Sequence, residues 1–262
     1  MLQQFHHKAP ARMISTLNRP DGHTISYEHD TGRGPTIVFL HGFASDRGGT
    51  KAAALAAHCR TQGLACLRFD MFGHGASSGR FQDGGPTRWT EDALAVLDQL
   101  TDGPVVLVGS SMGGWVALKT ALMRPGKVAG LIGIAPAPDF TAYLIWDHLS
   151  PVQRQALAND GHIELPHDYS DTPLRISRHL IEDGRSNLML LAPIGVTCPV
   201  RLLQGQCDTS VPWRTALTIS ERLTSHDVIV TLIKDGDHRL SRPEDLQLLC
   251  RAIDDMVAKV RA

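Results

Sequence analysis

A serine attacks a carbonyl only when its hydroxyl is lifted clear of the chain and a base stands ready to take its proton. Residues Gly109-Ser110-Ser111-Met112-Gly113 have the G-x-S-x-G spacing that lifts the hydroxyl. They follow an apolar run, Val105–Val108, and lead into a stretch of helical periodicity, Met112–Met123. In so tight a strand-to-helix turn the central residue takes a strained backbone conformation. Side chains at the two outer glycines would strike neighbouring backbone. Ser111 is the candidate nucleophile, and Ser110 lies one residue off the centre of the turn. The positive end of the helix that starts at Met112 favours negative charge developing beside the hydroxyl.

Such a serine needs a base, and the base needs a carboxylate to orient it. With 13 histidines in the chain, a histidine on its own says little. His238 stands out because Asp235-Gly-Asp237-His238-Arg239 directly follows the apolar run Val228–Ile233. Asp208 stands in the same relation to the run Val200–Leu203. The order serine, aspartate, histidine, each in a loop after a strand, fits the turn at Ser111. Asp235 and Asp237 are too near His238 in sequence to face its ring from another loop, and Asp139 is a further rival. The oxyanion needs N–H donors. Met112, the residue after the nucleophile, supplies one, and Phe43, in His41-Gly42-Phe43 after Thr36–Leu40, supplies the other. His41 reads as a residue that hydrogen-bonds to hold this loop. This chemistry calls on no metal and no organic cofactor.

These groups meet only if the segments between them stack into one sheet. Short runs rich in Val, Ile and Leu (Thr36–Leu40, Leu64–Phe69, Val105–Val108, Val128–Ile134, Val200–Leu203, Val228–Ile233) read as buried strands. Amphipathic stretches lie between most of them: Lys51–Thr61, Trp89–Leu100, Met112–Met123 and Trp213–Leu223, with Pro243–Val260 closing the chain. Ser241-Arg-Pro-Glu244 has capping-box spacing for that last helix. Arg12–Glu28 reads as a leading antiparallel hairpin. The expected class is α/β: a mostly parallel sheet of about eight strands with helices on both faces. The Pro-rich stretch from about 138 to 192 breaks the alternation and is too long for a plain loop. It reads as a small, mainly helical cap inserted into a single domain spanning residues 1–262.

Formal net charge is −1 over 262 residues, which offers no pull toward nucleic acid. No apolar run is long enough for a membrane span. The first 13 residues, MLQQFHHKAPARM, lack the apolar stretch of a secretory signal, and the five cysteines show no C-x-x-C pair. Both features point to a reducing compartment and a cytoplasmic protein. Monomer and dimer are both compatible with this composition.

Several segments together resemble the α/β-hydrolase superfamily: Gly49-Thr50-Lys51-Ala52, Arg68-Phe-Asp70, Gly73-His74-Gly75-Ala-Ser77, Gly109 through Trp115, Cys198 through Leu203, Val211-Pro-Trp213 and Asp237-His-Arg239. They are most similar to its abhydrolase-domain branch of mitochondrial acyl-protein thioesterases and acyl-glucuronide esterases. The resemblance runs from about Thr36 to Val257 and is weakest in the cap. It implies a serine esterase or thioesterase acting on a small ester or an acylated substrate, with Ser111, Asp208 and His238 in the catalytic positions. Arg175 and Arg178 in the cap could meet a carboxylate such as a glucuronide's, and Trp146 could line an acyl pocket. Acidic residues outnumber arginines in the cap, so surface ion pairing is the competing role. A C–C bond hydrolase or a peptidase would keep the same three residues, and a binding module built on the fold would not need them.

Overall fold

The structure, a computed structural model, describes residues 14–166 and 172–261. In chain order the strands and α-helices are β1 (Ser15–Asn18), β2 (Thr24–Asp30), β3 (Arg33–Leu40), α1 (Thr50–Gln62), β4 (Leu64–Phe69), α2 (Pro86–Leu100), β5 (Val105–Ser110) and α3 (Met112–Met123). After β6 (Val128–Ile134) come α4 (Pro151–Asp160), β7 (His162–Leu165), β8 (Leu174–Ser177) and α5 (Arg178–Arg185). The chain then runs through β9 (Val200–Gly205), α6 (Arg214–Arg222), β10 (Val228–Ile233) and α7 (Pro243–Arg261). Eight strands form one sheet in the order β1-β2-β4-β3-β5-β6-β9-β10. The pairs from β4 to β10 are parallel, and β1 and β2 form the antiparallel edge. This is the α/β-hydrolase fold expected from the sequence.

Strands buried on both faces need runs of apolar residues, and β3 has one at Ile37–Leu40 and β5 one at Val105–Val108. Val38 and Leu40 of β3 and Leu107 of β5 pack with Trp89, Met112 and Trp115 on one face. Ile37, Phe39, Val106 and Val108 face Leu55 of α1 and Ile253 and Met256 of α7 on the other. The sheet is thus clamped between two layers, and the loops leaving its C-terminal edge are held from below. Those loops carry Phe43, Ser111, Asp208 and His238.

The segment between β6 and β9 holds more than helices. It contains a π-turn (Thr141–Ile145), α4, α5 and an antiparallel hairpin of β7 and β8, in which Ile163 pairs with Ile176. The hairpin strands are four residues each, too short to stand out from the sequence. Asp139 binds the two ends of the segment together. Its buried carboxylate accepts the N–H groups of Met189 (2.9 Å) and Leu190 (2.8 Å). The capping box expected at Ser241 and Glu244 is absent. Instead Asp245 accepts from the Arg242 N–H at 3.1 Å, and the Ser241 hydroxyl donates to the Arg239 carbonyl at 3.0 Å. Asp245 also takes the Arg242 guanidinium, two further bonds that Glu244 does not match. The first thirteen residues, including the start of the expected Arg12–Glu28 hairpin, lie outside the described residues; β1 and β2 form the rest of it.

Candidate active site

Ser111 has φ +52° and ψ −119°, a region L-residues rarely occupy. The cost is of order 1–3 kcal/mol, and it persists only where neighbours over-determine the turn. They do so here. The Ser111 N–H donates to Ile134 O (2.9 Å), and the Ser111 carbonyl accepts from Gly114 (2.8 Å) and Ala137 (3.0 Å). A Cβ at Gly113 would lie 2.2 Å from Leu40 O, and one at Gly109 would lie 2.3 Å from Gly113 O. Only glycine lets the start of α3 press so closely on the ends of β3 and β5. The result is a serine side chain raised over the sheet edge.

The Ser111 hydroxyl reaches His238 Nε2 at 3.1 Å, and His238 Nδ1 reaches Asp208 Oδ2 at 2.8 Å. The Asp208 carboxylate is fixed on its far side. Its Oδ1 accepts the N–H groups of Ser210 (2.9 Å) and Val211 (2.7 Å), and Oδ2 also accepts Gln204 Nε2 (2.9 Å). With Oδ2 accepting, Nδ1 carries the imidazole proton and Nε2 is left to accept from Ser111. Gln204 is fully buried near the end of β9 and was not singled out from the sequence. The available signal was an uncharged polar residue at the end of a largely apolar strand, four positions before the acid. The rival carboxylates are engaged elsewhere. Asp235 pairs with Arg242, Asp237 Oδ1 accepts from the Leu240 N–H, and Asp139 binds together the ends of the segment between β6 and β9.

Phe43 lies in a turn whose ends are held by two histidines. His41 Nδ1 donates to Gly42 O at 2.8 Å, and its Nε2 accepts the Met71 N–H at 3.0 Å. His74 Nδ1 donates to Phe72 O at 3.0 Å, and its Nε2 accepts the Ala44 N–H at 3.3 Å. Among the described residues, no acceptor takes the N–H of Phe43 or Met112. Both imidazoles are buried, and burial pushes the pKa of His41 down to about 4 and that of His74 to about 3. Below the ordinary histidine value of 6.5 an unfolded chain takes up protons that these folded rings refuse. The stability present above that pH is therefore lost as the pH falls toward the folded values, at up to about 1.4 kcal/mol per pH unit for each ring. Denaturant midpoints measured from about pH 6.5 to 4.5 should fall steadily. A flat profile would contradict two buried neutral rings.

A cavity of about 390 Å³ opens over Ser111 and His238, walled also by Phe43, Thr50, Lys51 and Arg239. Lys51 is half-buried there and donates to Arg239 O at 2.5 Å. Burial and the adjacent Arg239 lower its pKa to about 8, so it stays mostly charged at neutral pH. Among the described residues, no carboxylate comes within ion-pair distance of it. The cap residues expected to meet substrate line other surfaces. Arg178 is exposed, pairs with Glu182 at 3.6 Å and donates to Ala158 O. Arg175 is exposed on a neighbouring groove beside Asp46 and Thr172. Trp146 is covered by Arg185 and Arg154, whose guanidinium carbons sit 4.1 and 4.8 Å from its ring centroid. The helical spacing of Arg178 and Glu182, and cation–π contact at Trp146, satisfy these side chains within the segment between β6 and β9.

The model of a hydrolase family described as serine aminopeptidase, S33, matches residues 33–164. The human mitochondrial palmitoyl-protein thioesterase ABHD10 is 39% identical over 248 residues, covering 94% of this chain and 81% of the human protein. The solved structure of mouse alpha/beta hydrolase domain-containing protein 10 superposes with a TM-score of 0.88 at 38% identity, covering 95% of this chain and 99% of that one. A hydrolase from Agrobacterium vitis S4 superposes with a TM-score of 0.90 at 41% identity, covering 94% and 98%.

Proposed function

Because the chain belongs to the α/β-hydrolase family and is an ester-hydrolysing enzyme, we propose that it cleaves carboxylic esters and thioesters through an acyl-enzyme on Ser111. The observation that carries this reading is the unbroken line of hydrogen bonds from Ser111 through His238 to Asp208, opening on a cavity. In this mechanism Ser111 Oγ bonds to the substrate carbonyl carbon as its proton passes to His238 Nε2. Asp208 holds the imidazole and stabilises its cation. The N–H groups of Phe43 and Met112 receive the carbonyl oxygen as it becomes negative. The tetrahedral adduct then expels the alcohol or thiol, which takes the proton from His238. Water repeats the sequence on the acyl-enzyme and returns Ser111. The segment from about 138 to 192 acts as the cap that shapes substrate access.

The thioester part of the reading draws on relatives named for palmitoyl-protein thioesterase activity. Those relatives are also named mitochondrial, so the cytoplasmic expectation gains no support from them. Among the described residues no helix is long and apolar enough to cross a membrane. For an acyl glucuronide, the cation facing the sugar carboxylate is Lys51, which lines the cavity, rather than Arg175 or Arg178. The test is a panel of a p-nitrophenyl butyrate ester, a palmitoyl thioester, an acyl glucuronide and a p-nitroanilide amide. Turnover of an ester or thioester at least about 100-fold above the amide supports the reading. Turnover confined to the amide would replace it with a peptidase, as the name of the matched family would have it.

A further inference from the structure

In the peptide group between Gly42 and Phe43 the N–H points opposite to the C=O, because a trans peptide is planar. Whatever holds the carbonyl end aims the N–H end. His41 Nδ1 and the Ser45 N–H both donate to that carbonyl, at 2.8 and 3.3 Å. The next peptide, between Phe43 and Ala44, is held at its N–H by His74 Nε2. Ala44 sits at φ +53°, where a residue with a Cβ stays only if its neighbours keep it there. The His74 bond is the side-chain contact that holds the Ala44 N–H.

We propose that His74 is a positioning residue of the oxyanion hole, its unprotonated Nε2 fixing the Ala44 N–H and thereby the orientation of the Phe43 peptide. The proposal rests on the esterase reading above, since an oxyanion hole has a use only if Ser111 attacks. His74 is well placed to act as an anchor. The loop that carries it is cross-braced to the Phe43 loop at two further points. His41 Nε2 accepts from Met71, and the buried Asp70 accepts both the Arg47 N–H (2.7 Å) and the Arg47 guanidinium. The ring itself is wedged among Phe81 (5.1 Å between centroids), Trp89 (5.7 Å) and His41 (4.9 Å). The bond from Nδ1 to Phe72 O fixes the tautomer, leaving Nε2 only an acceptor's role. The titratable groups facing this ring are His41 and Asp70, the latter neutralised by Arg47. Protonation of His74 would set an N–H donor against the Ala44 N–H. Burial opposes that protonation.

Three variants of the full chain test the proposal on p-nitrophenyl butyrate and with a trifluoromethyl ketone, whose hydrated adduct with Ser111 places an oxyanion in the hole. His74→Phe keeps the ring's bulk and removes the acceptor. His74→Gln places Oε1 close to the position of Nε2. Ser111→Ala shows whether the esterase reading holds. The expected result for His74→Phe is a fall in kcat of about 10- to 100-fold with KM within about threefold, and a matching rise in the ketone Ki. His74→Gln should restore most of both. If wild type depends on Ser111 but folded His74→Phe keeps wild-type kcat and Ki, the proposal falls and the esterase reading stands. Equal losses in the Phe and Gln variants would also overturn it, because a packing role is then sufficient. Ring-nitrogen NMR, with the His74 signal assigned by its absence from His74→Gln, supplies a second check. In the wild type that signal should report a neutral Nδ1–H tautomer at pH 5, and a protonated or Nε2–H ring would contradict the proposal.

Discussion

Ser111→Ala should lower turnover of a simple ester by roughly 10⁵- to 10⁶-fold while leaving the fold in place. Alanine keeps the Cβ that the turn already accommodates, so the strain at φ +52° is unchanged. The side chain's recorded partner is His238 Nε2, and losing that bond leaves the imidazole facing an open cavity where water can reach it. The stability change should stay within about 0.5 kcal/mol. On the proposed mechanism, removing the hydroxyl eliminates the nucleophile, so only the oxyanion donors and substrate binding remain to speed attack by water. Paired measurements of kcat and of the thermal midpoint would check both halves. A variant retaining even a hundredth of wild-type turnover would mean that another group attacks.

Asp208→Asn should cost about 10⁴-fold in kcat, for a reason that lies in which atoms donate. Asp208 Oδ1 accepts two backbone N–H groups, so an asparagine there must keep its oxygen in that position. Its NH₂ then replaces Oδ2, facing His238 Nδ1 and Gln204 Nε2. The imidazole can meet a donor only by moving its own proton to Nε2, and Nε2 then no longer accepts from Ser111. Gln204 adapts more readily. Its Oε1 has no partner among the described residues, and turning the amide offers that oxygen to the new NH₂. The fold should therefore survive with a modest loss of stability while the base is lost. A kcat within tenfold of wild type would show that Asp208 does not set the tautomer of His238.

The main elements were legible because each has a local cause. Leu64–Phe69, Val128–Ile134 and Val228–Ile233 are strands at the bounds that their apolar runs imply, and Met112–Met123 is a helix at the bounds its periodicity implies. The turn at Ser111 could be read because its glycines are required by close backbone approach, a local condition written in five consecutive residues. Ser111, Asp208 and His238 are far apart in sequence, yet each follows a strand, and the sheet order gathers those strands at one end of the sheet, with only β6 between β5 and β9. The segment between β6 and β9 was harder to read. Its hairpin is held by Ile163 and Ile176 against the same core as Leu180, a tertiary reason that four-residue strands do not reveal. Arg178 and Trp146 were attractive as substrate contacts by residue type, but their partners are one helical turn away or stacked from another element. Gln204, the histidine bonds of the Phe43 loop and the cavity position of Lys51 were not read from the sequence, because they depend on contacts between loops that are distant in the chain.

The most direct test of the central claim is to label the wild-type protein with a fluorophosphonate, digest it, and locate the adduct by fragment-ion mass spectrometry. Ser111 carries the claim that this fold is used for nucleophilic catalysis, and Ser110 beside it is an internal control. It has the same hydroxyl, but it ends β5 and is buried. A single adduct on Ser111, formed in step with loss of esterase turnover, is the predicted result. An adduct on Ser110 or another residue, or turnover that persists after Ser111 is fully labelled, would contradict it.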